Sequence, residues 1–139
     1  MRTTTVSARW TGEGLNYLGV DSRGHELLMG RENITPGQLL LIASAGCMGM
    51  DMLHVLQKKH QDVTDVQIEV IGYQPEDYPK PYETVELRFI VKGNNVDPRA
   101  VHRAIELSRE KYCVVNQTLM RNSAILTSFE IEESVQAPA

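Results

Sequence analysis

The sequence predicts an α+β fold with the order βββ-α-ββ-αα-β, antiparallel sheets set around one long central helix. Three observations predict it. Short alternating segments separated by Gly and Asp turns fill the first thirty residues, an almost wholly apolar stretch opens at Thr35-Pro36, and a second proline-led helix start stands at Asp97-Pro98. With 139 residues, no internal repeat and no dividing linker, residues 1–139 read as one domain. A chain of that size buries roughly 70% of its unfolded surface, enough for a core without disulfides or structural metal.

Each element follows from local chemistry. Thr4-Val6-Ala8-Trp10 alternates with polar neighbours, Leu15 to Val20 follows the break at Gly12-Glu13-Gly14, and His25 to Met29 follows the turn Asp21-Ser22-Arg23-Gly24. These predict an antiparallel meander. Thr35 supplies a capping hydroxyl and Pro36 the first helical position of a helix running to about His60. Leu39, Leu40, Leu41, Ile42, Ala43 and Met48 make it apolar nearly all round, the pattern of a surrounded helix. One small sheet covers one side only, so a partner subunit is expected on another. Ala45 and Gly49 would admit a close backbone there, and Lys58, Lys59 and His60 suit the negative helix end.

Val63 to Tyr73 and Tyr82 to Lys92 are the next strands. The second sets Val85, Leu87, Phe89 and Val91 against Glu86, Arg88 and Lys92, and the proline-rich link Gln74 to Pro81 reads as an exposed loop. The helix after Asp97-Pro98 puts Val101, Ala104, Ile105, Ser108 and Tyr112 on one face. Val114-Val115 beside Cys113 marks a kink or fresh helix start carrying Leu119 and Met120. A last strand, Ala124 to Ile131, precedes the tail Ser134 to Ala139.

Composition excludes several function classes. Fourteen Lys and Arg against eighteen Asp and Glu give a net charge of −4, against a nucleic-acid partner. Met1 to Ser7 is polar, so no signal peptide is expected, and Ile34 to Met50, with Pro36, Gln38 and three glycines, is too short and mixed for a membrane span. The expectation is a soluble, cytoplasmic protein. Gly12, Gly14 and Gly19 miss the dinucleotide fingerprint, and Gly46-Cys47-Met48-Gly49 matches an RNA-binding loop by chance, being inside an apolar helix. His25, His54, His60 and His102 show no ligand spacing, so neither metal nor cofactor is expected.

The two cysteines, Cys47 and Cys113, stand 66 positions apart, which fits neither a secreted disulfide scaffold nor a zinc finger. Buried inert thiols, a metal pair or a redox pair all remain open. Mid-helix Cys47 needs a cation from elsewhere to become a thiolate, whereas Cys113 lies where exposed helix-start amides would help one. Asp51 and His54 share the Cys47 face, and hydrogen bonding to neighbouring backbone or a partner chain explains them better than a hydrolytic triad. Met48, Met50 and Met52 read as core or interface filler.

The whole pattern resembles the OsmC/Ohr family of osmotically inducible and organic hydroperoxide resistance proteins. Thr35-Pro36-Gly37-Gln38-Leu39-Leu40 leading to Ala45-Gly46-Cys47, with the late Cys113, carries the likeness. Gly46-Cys47-Met48-Gly49-Met50-Asp51 and Glu110-Lys111-Tyr112-Cys113 look most like its YhfA-like branch. The resemblance implies an intertwined homodimer with sites at the subunit interface. It implies that Cys47 is the catalytic thiol that attacks a hydroperoxide, that Cys113 resolves it to a disulfide, and that an external dithiol reduces the pair. The family's Pro-Glu-Gln is Pro36-Gly37-Gln38 here, which removes the Glu that orients an activating Arg; Arg23 and Arg31 are the nearest candidates for that cation, and Val114 replaces the usual residue after the second cysteine. A hydroperoxide reductase is therefore the first reading. A non-catalytic dimer that binds a small hydrophobic or thiol ligand or senses redox state is the second, and a structural dimer with inert thiols the third.

Overall fold

A computed structural model describes residues 1–121 and 126. Its elements are β1 (Ser7–Trp10), β2 (Tyr17–Val20), β3 (Glu26–Met29), α1 (Pro36–Lys58), β4 (Asp62–Tyr73), β5 (Thr84–Asn94) and α2 (Pro98–Leu107), then a π-helical turn, Ser108–Tyr112, and α3 (Val114–Leu119). This is the expected α+β order up to the last strand. The strand expected at Ala124 to Ile131 and the tail beyond it lie outside the described residues, Leu126 excepted.

Two antiparallel sheets form: β1-β2-β3 and β4-β5. In the meander, Trp10 pairs with Tyr17 and Val20 with Glu26. The first turn is closed by the Trp10 indole, which donates to the Gly14 carbonyl at 3.0 Å. The second is an Asx turn in which Asp21 Oδ1 accepts from the backbone N–H groups of Arg23 (2.9 Å) and His25 (2.8 Å), with Gly24 at φ 91° completing the reversal. Trp10, Tyr17, Leu27 and Leu28 are exposed in the single chain.

The second sheet is longer, Asp62 pairing with Asn94 and Tyr73 with Thr84, with a bulge between Val63 and Asp65. Val85, Leu87, Phe89 and Val91 are the more buried face of β5, as the alternation predicts. At the far end of this sheet the Tyr82 ring covers Gly72, whose own Cβ would stand 2.7 Å from it, and the Tyr82 hydroxyl reaches Gly37 on the first turn of α1.

α1 packs on α2 and β4. Its buried residues, Ser44, Met48, Met52 and Leu56, recur every fourth position and define one stripe. Met52 and Leu56 meet Ala100 and Ala104 of α2, with Val63, Val66, Phe89 and Val91 closing the core. The small alanines on α2 let the two helices approach closely. Leu40, Ile42 and Met50 are exposed, so the all-round apolar character predicted from the sequence exceeds what one chain covers. By its 23-residue length and mean hydropathy of 1.7, α1 is long and apolar enough to cross a membrane, unlike the shorter stretch weighed from the sequence, yet its stripe is built into a packed core.

Several local expectations change. Thr35 is the N-cap residue, but its hydroxyl makes no capping bond; proline at the first position carries the start. Asp97 does cap, accepting from the Arg99 N–H at 3.0 Å. α1 ends at Lys58, before His60, which takes φ 55° while its N–H bonds the Gln57 carbonyl and the Gln61 N–H bonds that of Leu56. This is a Schellman ending with histidine in the usual glycine place. Gly49 faces Ile68 of β4, its Cβ position 2.9 Å from Cδ1, so this small residue serves the helix–sheet contact within the chain. Tyr112, expected on the buried face of α2, is exposed, because the π turn inserts a residue and turns it outward.

Candidate functional site

The fold brings Cys47 and Cys113 together. Donor atoms of Cys47, Asp51 and Cys113 all lie within 4.8 Å of one another. Cys47 and Asp51 are one helical turn apart on α1, beside its buried stripe, and both are half-buried. Cys113 comes from the break between the π turn and α3 and is fully buried. The i, i+4 spacing of the first pair is legible in the sequence, but its meeting with Cys113 is not.

Two buried polar contacts fix the arrangement. Ser108, wholly buried at the end of α2, donates its hydroxyl to Asp51 Oδ2 at 2.8 Å and so orients the carboxylate. Ser44, one turn before Met48, donates to Asn116 Oδ1 at 2.7 Å and ties α1 to α3. Asn116 in turn gives its backbone N–H to Cys113 Sγ at 3.4 Å, which makes Cys113 the N-cap of α3. Asp51 thus finds a partner on another element, whereas His54 is exposed on the outer side of α1. The sequence reading missed Ser44, Ser108 and Asn116. The signal was faint: a serine on each helix face that packing requires to be apolar.

Burial pushes the Cys113 thiol up from its ordinary 9.0 to about 11, helped by its hydrogen bond to the Cys47 sulfur and opposed by the N–H groups of Asn116 and Val115. The helix-start amides expected to favour a thiolate are present, but desolvation outweighs them. Among the described residues, no lysine, arginine or histidine is a cause of this shift. Arg23 and Arg31, the candidates for an activating cation, are exposed on the turns around β3 and make no ion pair among the described residues. The Gly37 Cβ position lies 3.3 Å from the Tyr82 hydroxyl, so a side chain at this position would crowd that oxygen.

The four histidines are all exposed; His25 pairs with Asp21 at 2.8 Å and His102 with Glu106 at 3.0 Å. A groove of about 850 Å³ opens next to the cysteines, lined among the described residues by Leu41, Met48, Tyr82, Leu87, Arg109 and Asn116. Neither cysteine lines it; their neighbours Met48 and Asn116 do.

Comparison with known proteins places the fold. Protein YhfA of Escherichia coli K12 is 36% identical over 127 residues, which cover 88% of this chain and 94% of that protein. The crystal structure of a hypothetical protein from Aquifex aeolicus superposes with a TM-score of 0.79 at 34% identity, covering 86% of this chain and 89% of that one. An organic hydroperoxide resistance protein from Elizabethkingia anophelis shares the fold at a TM-score of 0.58 and 18% identity, covering 85% and 89% of the two chains. The family model described as OsmC-like protein matches residues 29–128, and the chain belongs to that family.

Proposed function

We propose that this protein is a thiol-dependent peroxidase that reduces organic hydroperoxides, with Cys47 as the attacking thiol and Cys113 as the resolving one. The observation that carries the proposal is the meeting of two free thiols from positions 66 residues apart. Their unequal burial supports these roles. Half-buried Cys47 is the sulfur a peroxide reaches first, and Cys113, fully buried and held protonated at neutral pH, is poised to react second.

The chemistry balances with protein thiols alone. The Cys47 thiolate attacks the O–O bond, and with one proton yields a sulfenic acid and an alcohol. The Cys113 thiol then condenses with it, releasing water and forming a disulfide, and an external dithiol restores both thiols. The exposed apolar residues of α1, Leu40, Ile42 and Met50, together with the open face of the meander, support a homodimer. The net charge of −4 supports a cytoplasmic setting without a nucleic-acid partner.

Two observations favour a second reading, a non-catalytic dimer that binds a small hydrophobic or thiol ligand or senses redox state. Gly37 carries no carboxylate to orient an activating arginine, and the adjacent groove is largely apolar. Pre-reduced protein mixed with cumene hydroperoxide or hydrogen peroxide separates the two. The peroxidase loses both thiols rapidly to an intramolecular disulfide, faster with the organic peroxide. Cys47→Ser abolishes turnover and Cys113→Ser stops after one cycle. Thiols that survive at the rate of free cysteine, or equal activity in both variants, refute it.

A further inference from the structure

We infer that the reduced site is a metal site: Cys47, Asp51 and Cys113 together bind one thiophilic divalent cation of the zinc type. The inference goes beyond peroxide chemistry and does not depend on it. Three donor atoms from two elements converge within 4.8 Å of one another. Ligands around a tetrahedral zinc with Zn–S near 2.3 Å lie roughly 3.8 Å apart, so the metal-free site is within about 1 Å of a ligating arrangement. Two sulfurs and one carboxylate oxygen select a borderline-soft ion over magnesium or calcium, which take oxygen ligands.

The surroundings are those of a ligand set. The Ser108 hydroxyl bonds one carboxylate oxygen of Asp51, leaving the other to the metal, and the Asn116 N–H orients the Cys113 sulfur. Cys47 and Asp51 are one turn apart on a rigid helix, which fixes two of three vectors. Both are half-buried, so the ion enters from the α1 side and keeps its fourth position for water. Histidine spacing, the usual sequence sign of such a site, misses it because two thiols replace the imidazoles.

Metal and peroxide then compete for the same sulfurs. A bound cation caps both thiolates. One hydroperoxide and two protons from solvent turn the two metal-bound thiolates into a disulfide, an alcohol and water, and this removes two of the three ligands and releases the ion.

Cobalt(II) titration of reduced, chelator-treated full-length protein tests this without any activity readout. The expected result is one equivalent per chain, with a thiolate-to-cobalt charge-transfer band and the intense visible bands of a tetrahedral centre, displaced by zinc. Cys47→Ser and Cys113→Ser lose the charge-transfer band. Asp51→Asn, whose amide oxygen still accepts from Ser108, weakens binding about tenfold or more and serves should a cysteine variant fail to fold. Disulfide-oxidised protein binds no cobalt. Absence of the band at stoichiometric metal, its survival in Cys47→Ser, or unchanged affinity in Asp51→Asn would overturn the assignment. Protein that binds cobalt but ignores hydroperoxide retains the metal site and loses the peroxidase reading. Protein that consumes hydroperoxide but takes no metal does the reverse.

Discussion

Asn116→Ala removes one end of the buried bond that ties α1 to α3. The Ser44 hydroxyl, wholly buried, donates to Asn116 at 2.7 Å across 72 positions of sequence. Truncation leaves that hydroxyl without a partner, which costs about 1–3 kcal/mol, and opens a small gap worth about 1 kcal/mol more. The expected loss is about 2–4 kcal/mol. Ser44→Ala leaves the Asn116 carbonyl oxygen unpaired instead and should cost about 1–2 kcal/mol. In the double variant no orphaned group remains, so its cost should fall short of the sum by about 1 kcal/mol. Urea unfolding at fixed protein concentration measures all three, and with an m-value of about 2 kcal/mol/M a 2 kcal/mol loss moves the midpoint by roughly 1 M. A loss below about 0.5 kcal/mol for Asn116→Ala, or strict additivity, refutes the assignment of this bond as the tie that places Cys113.

Three further outcomes follow from the geometry. Gly46 sits inside α1 with nothing among the described residues within 4 Å of its Cβ position, so Gly46→Ala should stabilise the chain by about 0.5–1 kcal/mol in thermal or urea unfolding; a net loss would contradict open space on that face. Gly93, opposite Val63 at the end of β5, has its Cβ position blocked by the Asp62 carbonyl, so Gly93→Ala should cost about 2 kcal/mol or more, and a neutral result in the same assay would contradict the register there. Folding keeps the Cys113 proton on to about pH 11 against 9.0 for an ordinary thiol, so between these values the folded state binds more protons than the unfolded one. The Cys113 contribution to the stability of metal-free, reduced protein should therefore be full below pH 9 and decline toward pH 11, so Cys113→Ser makes the fall over this range shallower.

Much of the fold is legible in the residues. Proline at positions 36 and 98 announces both main helices, and the alternation of β5 names its core face. What escapes a local reading is set by distance or by register. Ser108 meets Asp51 over 57 positions and Ser44 meets Asn116 over 72, and no propensity in either segment records the other. The end of α1 escapes too, because His60 takes a left-handed conformation that a glycine would have advertised. The cysteines were visible as candidates; their meeting depends on how α2 lies along α1, through alanines that look unremarkable one at a time.

The π turn at Ser108–Tyr112 gives chain length a chemical meaning. Each α-helical residue advances by about 100°, so removing one residue from this turn would swing position 113 away from α1 with both thiol-bearing residues intact. Substitution is then the lesser threat to the pair, and a one-residue deletion the greater. The number of residues between the alanine stripe of α2 and Cys113 is therefore a ruler, and its length holds the two sulfurs together.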